Sequence, residues 1–291
     1  MNELSKEELK KENEILSKKA DELSSKLYRV NNKLKEAETL KGHFISNVSN
    51  EIINPFSSIL VLAENLQRLQ DGQMEKAKSM ASMIFDEAFH LDFQLKNIFA
   101  AATIEAGTDG MKIAPVNLRH LFQKAVLFFK KASEQKGLVV SLNFENEKEP
   151  KDLASFITDE EKLSLIIKNL LDNAIKFSFE KGKVDVNIKL EDEKLVFTVT
   201  NDGKGIPEEE KQSVYDRFRQ LDERINSINT GHGLGLSIVS SYINFLNGSI
   251  SIQESANGKT CFQVIVPQLD DQDSWDDLDQ FMIDEDEKFI F

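Results

Sequence analysis

The sequence predicts an α+β protein, in which a helical N-terminal third precedes a mixed β-sheet that helices cover on one face. A heptad pattern over residues 9–48 and an amphipathic pattern over 74–106 predict the long helices. From about residue 116 onward, shorter helical and strand-like segments alternate. The 291 residues are enough for one large or two modest domains, each with its own core.

The composition, with 40% hydrophobic and 30% charged residues, is typical of a soluble protein. The net charge of −14 argues against nucleic acid or an anionic membrane as the main partner. A single cysteine, Cys261, excludes an internal disulfide framework. No apolar run approaches the roughly 20 residues of a membrane span, and the N-terminus does not resemble a signal peptide. We therefore expect a cytoplasmic protein without a membrane span, or the cytosolic part of a longer one.

Residues 1–41 carry the first part of the heptad repeat, which predicts a parallel two-stranded coiled coil. Asn13 falls at an a position, where a buried pair of amides favours a parallel dimer and fixes its register. The alternative is a single solvated helix. The positions of the repeat are Leu9, Asn13, Leu16, Ala20, Leu23, Leu27, Val30, Leu34, Ala37, Lys41, Phe44 and Val48.

Residues 42–110 predict a helical hairpin that dimerises as a four-helix bundle. Its helices cover about 44–70 and about 74–106, and Asp71-Gly72-Gln73 forms the turn between them. Gly107 is the expected C-terminal stop of the second helix. Two antiparallel helices from each of two chains bury their apolar faces against one another, so we expect a homodimer through the coiled coil and the hairpin.

Residues 111–268 predict an α/β sandwich, which is preceded by a linker at Thr108–Pro115. Asn257-Gly258 predicts a tight hairpin between the last two strands. Residues 269–291 form an acidic-aromatic tail with ten Asp or Glu side chains against one Lys; such tails are usually disordered, and the alternative is docking on a basic groove. The expected elements are helices at 117–135, 159–178 and 234–246, strands at 138–145, 183–190, 194–200, 248–254 and 260–266, and a long loop at 201–233.

Three polar and glycine-rich segments of the sandwich point to a ligand. On a helix, Asn169 and Asn173 project from one face a turn apart, and Lys176 lies within reach of that face. A carboxamide can complete the shell of Mg²⁺, an ammonium can meet phosphate oxygens, and glycine-rich turns let the backbone approach a nucleotide closely. Together the segments predict binding of ATP with Mg²⁺. They are NLLDNAIKF at 169–177, NDGKGIP at 201–207 and GHGLGL at 231–236.

The ordered segments resemble the ATP-binding domain of two-component sensor histidine kinases, in the superfamily shared with gyrase and MutL. Upstream, FISNVSNEIINPFSSIL at 44–60 resembles the phosphoacceptor box of the same family. The box normally has the pattern Ser-His-Glu-hydrophobic-x-Asn/Thr-Pro. Asn50 stands where the family has its acceptor histidine. The resemblance covers roughly residues 40–268.

The resemblance implies a role for each motif residue. Asn173 would be the Mg²⁺ ligand, and Asn169 replaces the water-activating glutamate of related ATPases, so hydrolysis is suppressed. Lys176 would meet phosphate, and Phe177 would lie near the adenine. Asn201 stands where the family has an aspartate that accepts a hydrogen bond from the adenine amino group, and the lost charge assistance predicts a roughly tenfold weaker Kd. The expected ATP-binding residues are Asn169, Asn173, Lys176, Phe177, Asn201, Asp202, Gly203, Gly205, Ile206, Arg217, Phe218, Gly231, Gly233, Leu234, Gly235 and Leu236.

Asn50 decides what activity the resemblance implies. An amide nitrogen is a poor nucleophile because its lone pair is delocalised into the carbonyl, so Asn50 should not be phosphorylated even though the neighbouring acid, Glu51, is present. Asn54 lies one turn further on, where the family can position a water against a partner's phospho-aspartate. Three hypotheses stay open: a histidine-kinase core with an unusable acceptor, a non-catalytic regulator, and a phosphatase of a phosphorylated receiver domain. The expected partners are a second copy of the chain and a response-regulator receiver domain.

Overall fold

The computed structural model of this chain covers most of its helical region and most of its sandwich. It divides into two compact units, Met1–Asn54 and Pro55–Phe291. In the first long helix, the side chains of residues 6–12, 14, 21, 32–34 and 36–51 are not described. The described residues are 6–70, 72–145, 153, 155–216, 233–254 and 259–269.

Helix α1, Lys6–Gln67, is one continuous element where the sequence predicts a coiled-coil helix followed by a first hairpin helix. Leu16, Leu23 and Leu27, three heptad residues of the Met1–Asn54 unit, are exposed in the single chain. Apolar side chains at a and d positions become buried only against a second helix. The helix is therefore confirmed, and the parallel coiled coil at 1–41 remains a prediction.

Helix α2, Met74–Ala106, ends at Gly107 as the sequence predicts. Gly107 adopts a left-handed φ of 62°, and its N–H donates to the carbonyl of Ile104 at 3.2 Å. Left-handed backbone is the usual end of a helix and favours glycine. One face of α2, with Phe93 and Asn97, is buried, whereas Phe99 on another face is exposed.

The sandwich confirms the predicted fold class, a mixed sheet covered by helices. Its main sheet has the strand order β2-β4-β5-β7-β6, in which only β2 and β4 pair in parallel. A separate two-stranded sheet pairs β1 with β3. The elements are β1 Ile113–Val116, α3 Leu118–Phe128, α4 Lys130–Gln135, β2 Val139–Phe144, β3 Phe156–Asp159, α5 Glu160–Phe177, β4 Lys183–Glu191, β5 Lys194–Asp202, α6 Gly235–Phe245, β6 Ser249–Glu254 and β7 Lys259–Pro267.

The core lies between the sheet and helices α3, α5 and α6. Along β5, alternate side chains point toward the helices, and Phe197 meets the Phe122 ring of α3 edge-on with ring centroids 5.1 Å apart. Ile166 and Leu170 of α5 are fully buried. Burial of this kind stabilises by roughly 1.5–3 kcal/mol for each large apolar side chain, so α5 is fixed firmly in the middle of the domain.

Two predictions of local structure differ from the fold. The helix expected at 117–135 is two helices, because the backbone turns at Phe129 (φ −96°, ψ 8°). Strands β1 and β3 were not predicted; each has only four residues, and β1 contains Pro115, so neither shows a clear alternating pattern. Strands β6 and β7 pair antiparallel as expected, although Asn257-Gly258 lies outside the described residues.

A buried ion pair fixes the segment that the sequence predicts to be a linker. Lys162, in the first turn of α5, donates its Nζ to a carboxylate oxygen of Asp109 at 2.9 Å. The Lys162 side chain is 6% exposed, and the ring of Tyr242 from α6 lies 5.1 Å from its ammonium. Asp159 caps α5 by accepting from the Lys162 N–H at 3.0 Å. A buried charge is stable only when it is paired, so this clamp ties the end of α2 to α5 and α6.

The domain boundaries at 41/42, 110/111 and 268/269 remain predictions, and the acidic-aromatic tail beyond Leu269 lies outside the described residues. Among the helices that the structure describes, none is long and apolar enough to span a lipid bilayer.

Candidate nucleotide-binding site

Helix α5 carries the first motif segment, and its two asparagines have different environments. Asn169 is 3% exposed. Its Nδ2 donates to the side-chain oxygen of Asn97 on α2 at 2.7 Å and to the Leu165 carbonyl at 2.9 Å. Asn173, one turn further on, is half-buried, and its amide makes no hydrogen bond to another described residue. Asn173 is therefore available to a ligand, whereas the side chain of Asn169 is hydrogen-bonded to α2.

The last turn of α5 presents the other two residues of the segment. The Lys176 ammonium lies 2.6 Å from a carboxylate oxygen of Asp172, so a phosphate would compete with that carboxylate for the cation. The Phe177 ring is 60% exposed, although phenylalanine is usually buried. An exposed ring at this position is able to stack on a flat ligand.

The second segment meets the end of α5 through Gly203. An isolated β-bridge pairs Gly203 with Ser178, and a Cβ on Gly203 would come within 2.5 Å of the Phe177 carbonyl oxygen. Only glycine permits this approach of two backbones. Gly203 thereby holds the end of β5 beside the residues that end α5.

Asn201 and Asp202 lie on opposite faces of β5, because successive side chains of a strand alternate. Asn201 is buried on the helix-covered face, and its Nδ2 has no hydrogen-bond partner. The Asp202 carboxylate accepts from the backbone N–H of Lys183 at 2.9 Å. The structure thus brings Asn201, and not Asp202, to the side of the sheet that holds α5. The unpaired Nδ2 is a donor, so only an acceptor atom of a ligand at Asn201 would relieve the cost of burying it.

The remaining glycines of the second and third motif segments determine the backbone conformation of their loops. Gly205 and Gly233 have left-handed φ values of 79° and 68°. Gly235 begins α6, and a Cβ there would lie 2.9 Å from the side-chain oxygen of Asn169. Ile206 and Leu234 are buried, which fixes the two loops, and Leu236 is half-buried. The third motif segment therefore touches the first, as the second does at Phe177.

The segment between β5 and α6 is described only in part. Arg217, Phe218 and Gly231 lie outside the described residues, so their expected contacts with the nucleotide remain predictions. Just before them, the Oη of Tyr215 is buried without a hydrogen-bond partner. Burial raises the pKa of the Tyr215 phenol to about 12, because the charged form is disfavoured away from water.

The acceptor segment lies on α1. Asn50, Glu51 and Asn54 are all in helical backbone, and Pro55 lies within the same helix. The side chains of Asn50 and Glu51 lie outside the described residues, whereas the Asn54 side chain is exposed. An exposed carboxamide is open to a partner protein, which is what the role expected for Asn54 needs.

A metal at this site would depend on the carboxamide of Asn173. Within the described residues, no group of three or more His, Cys, Asp or Glu side chains could hold a metal ion. Mg²⁺ commonly keeps several waters and takes only one or two protein ligands beside substrate phosphates. The unbonded, half-buried amide of Asn173 fits that requirement.

Sequence reasoning missed two residues that hold the helix of the first motif segment: Asn97, which contacts Asn169, and Lys136, which contacts the end of α5. Asn97 is buried on α2, four residues after Phe93 on the same face. An amide on a largely apolar helix face is the one signal that pointed to it, and the buried Gln94 shares that signal. Lys136 gave no signal, because only the fold shows that its ammonium is held by the carbonyls at the end of α5.

The comparisons with known proteins agree with this geometry. Residues 158–270 match the family described as histidine kinase-, DNA gyrase B- and HSP90-like ATPase. The chain is 27% identical over 235 residues to the circadian input-output histidine kinase CikA of Synechococcus elongatus. It is 29% identical over 259 residues to the sensor histidine kinase TmoS of Ectopseudomonas mendocina. These matches cover 80% and 89% of this chain but 30% and 26% of those proteins, so the chain spans less than a third of either relative.

Among solved structures, full-length ShkA in complex with AMPPNP has a similar fold. The TM-score is 0.54 at 19% identity, and the match covers 79% of this chain and 45% of ShkA. This likeness shows the fold alone, and it agrees with the order of long helices followed by an α/β sandwich. Residues 158–270 therefore match the histidine kinase-, DNA gyrase B- and HSP90-like ATPase family, and most of the chain is similar in sequence to sensor histidine kinases.

Proposed function

We propose that this chain is a dimeric sensor-histidine-kinase core that binds ATP with Mg²⁺ and communicates with a response-regulator receiver domain. We further propose that it does not phosphorylate itself at position 50, where Asn50 is a natural divergence or an introduced substitution. The observation that carries the proposal is the convergence of the three motif segments on α5, through the Phe177–Gly203 and Asn169–Gly235 contacts. The complex of ShkA with AMPPNP supports a triphosphate as the ligand.

Each residue of the site has a distinct part in this proposal. Asn173 would hold Mg²⁺, which supplies neutralisation of the phosphate charge when it is bound. Lys176 would exchange Asp172 for a phosphate oxygen. Asn201 would accept a hydrogen bond from the adenine amino group, and Phe177 would cover the adenine ring. Asn169 has no acid–base function, since a carboxamide cannot take a proton from water, so the γ-phosphate would not be lost to hydrolysis.

A labelling experiment tests the proposal. Titration calorimetry with AMPPNP and Mg²⁺ should show binding by the unaltered chain, while γ-labelled ATP should leave no acid-labile phosphate on it. Asn50→His should gain acid-labile label, because it restores a nucleophilic imidazole beside Glu51. The matched control is Asn50→His combined with Asn173→Ala, which should stay unlabelled. Absence of nucleotide binding at millimolar concentration, or label on the unaltered chain, would contradict the proposal.

The exposure of Asn54 favours a second candidate function, removal of phosphate from a phosphorylated receiver domain. In this function, Asn54 positions a water against the phospho-aspartate of the partner. Asn54→Ala should slow dephosphorylation of the receiver without changing the affinity of the chain for AMPPNP. If Asn50→His binds nucleotide and still gains no label, a non-catalytic regulator becomes the better description. A cytoplasmic location is part of the same proposal and rests on the kinship with sensor kinases.

A further inference from the structure

Lys136 lies at the C-terminal end of α4, and its side chain reaches the C-terminal end of α5. Its Nζ donates to two successive carbonyl oxygens, that of Ile175 at 2.8 Å and that of Lys176 at 2.7 Å. A lysine ammonium has three protons to donate, so one side chain can serve both acceptors.

The end of α5 needs such a donor. The last carbonyls of a helix have no partner within the helix. The Ala174 carbonyl accepts from the Ser178 N–H at 3.1 Å and from the Ser178 hydroxyl at 2.6 Å, but Ser178 does not serve the next two carbonyls. Lys136 supplies the donors for those two, and its charge is favourable beside the negative end of the helix dipole.

The backbone around Lys136 is itself fixed, so the ammonium has a defined place. The Lys136 carbonyl accepts from the Lys181 N–H at 3.1 Å, and the Val139 N–H donates to the Gly182 carbonyl at 3.0 Å. Burial lowers the pKa of the Lys136 ammonium, and the nearby carboxylate of Glu180 acts in the opposite direction. The Lys136 ammonium is therefore partly desolvated where it donates to the carbonyls at the end of α5.

The turn that Lys136 holds carries the residues assigned to the nucleotide. Asn173, Lys176 and Phe177 all lie within the last five residues of α5. We propose that Lys136 is a positioning residue for the nucleotide site: it fixes the last turn of α5, and thereby the directions of the Asn173, Lys176 and Phe177 side chains, without touching the ligand. This inference deepens the proposed function and rests on it.

Lys136→Met tests the proposal, because it keeps much of the side-chain volume and removes the charge and the donors. At a temperature where every variant is fully folded, we expect its Kd for AMPPNP with Mg²⁺ to rise about tenfold, and Lys136→Arg to stay within about threefold of the unaltered chain. Amide resonances of Asn173, Lys176 and Phe177 should shift in Lys136→Met without nucleotide, which reports the loosened turn directly.

Two matched variants separate positioning from a general loss of stability. Lys130→Met removes an exposed lysine of the same helix, whose nearest partner is Glu134 at 3.8 Å, and should leave the Kd unchanged. Val264→Ala removes buried volume from β7, where Val264 is 0% exposed, and should lower the melting temperature without changing the Kd.

The outcomes distinguish this inference from the proposed function. If the unaltered chain binds AMPPNP and Lys136→Met binds it equally well, the positioning role is wrong and the proposed function stands. Weakening of the Kd by Val264→Ala to the same extent as by Lys136→Met would also overturn the positioning role. If the unaltered chain does not bind AMPPNP, the proposed function fails and the positioning role fails with it.

Discussion

Asn201 and Asp202 show that neighbouring residues of one strand have different roles, because their side chains lie on opposite faces of the sheet. Both belong to the segment that resembles the adenine-binding motif, but only Asn201 faces the helices. Asp202 instead holds the Lys183 N–H and lies 4.0 Å from the Lys259 ammonium. Its role is to fasten β5 to β4 and β7, which is a structural role.

Exchanging these side chains gives the first prediction. Asn201→Asp should tighten the Kd for AMPPNP about tenfold, because a carboxylate accepts from the adenine amino group more strongly than an amide does. It should also lower the stability of the free chain, since a buried carboxylate has no paired charge there. Asp202→Asn is the control and should leave the Kd unchanged. Calorimetry that finds equal affinities for Asn201→Asp and the unaltered chain would remove Asn201 from the adenine site.

Tyr215 gives a prediction about pH. The pKa of its phenol is raised to about 12, so above about pH 10 the unfolded chain loses this proton while the folded chain keeps it. The free energy of unfolding should therefore fall as pH rises from about 10 to about 12. Burial also raises the pKa of Tyr242, which adds to the same alkaline loss.

Tyr215→Phe should reduce that alkaline loss without abolishing it. Near neutral pH it should raise the free energy of unfolding by about 1 kcal/mol, because the removed hydroxyl is buried without a partner. Urea unfolding at neutral and alkaline pH, compared between the two chains, measures both effects. A steeper alkaline loss in Tyr215→Phe, or a large loss of stability at neutral pH, would contradict the assignment of this hydroxyl.

At the scale of elements, α2 is the long helix that packs against the sandwich. Phe93 of α2 is 2% exposed and lies edge-on to the rings of Phe128 and Phe129. One turn further along, Asn97 holds Asn169. Aromatic contacts and a buried amide pair thus hold α2 against α3 and α5.

Removing the Phe93 ring should separate these elements. Phe93→Ala should cost about 3–5 kcal/mol in the free energy of unfolding, because a large buried ring leaves a cavity. Phe179→Ala, just after α5, removes a ring that is 50% exposed and should cost far less. Urea unfolding compares the two variants, and hydrogen exchange at Asn97 and Ala100 shows whether α2 is released. Equal costs for the two rings would mean that the α2 contact does not stabilise the domain.

At the scale of the whole molecule, apolar side chains of the hairpin are exposed in one chain. Phe56 and Leu60 of α1, four residues apart, are 53% and 55% exposed, and Phe85 and Phe99 of α2 are exposed as well. Exposed apolar side chains one helical turn apart, as Phe56 and Leu60 are, form an apolar surface that can take part in an interaction. A second copy of the chain would cover it in the four-helix bundle that the sequence predicts.

Charge on this face should weaken the dimer. Phe56→Glu combined with Leu60→Glu should raise the dimer dissociation constant at least about a hundredfold, because carboxylates would be buried against apolar side chains. Leu127→Glu, at a side chain of α3 that is 67% exposed, is the control and should leave dimerisation unchanged. Sedimentation equilibrium measures both. An unchanged dissociation constant in the double variant would exclude the hairpin face as the dimer interface.

The sequence by itself determined the fold class, the three motif segments and much of the order of elements, but not the short strands β1 and β3 or the break at Phe129. These follow from local patterns: apolar periods of helices and strands, the Gly107 stop, and glycines where backbones approach closely. A resemblance singled out Asn50, because the segment at 44–60 differs at that position from the acceptor-box pattern that it resembles. None of these conclusions needs contacts between distant residues.

The tertiary structure alone decided which motif residues are free to meet a ligand. Asn169 is held by Asn97, 72 residues away, and Lys136 holds a helix end 39 and 40 residues further along the chain. Burial and hydrogen bonding depend on what other elements bring to a site, which no local pattern records. The side chains that the site can offer to a nucleotide are thus set by α2, α4 and β5 packing around α5.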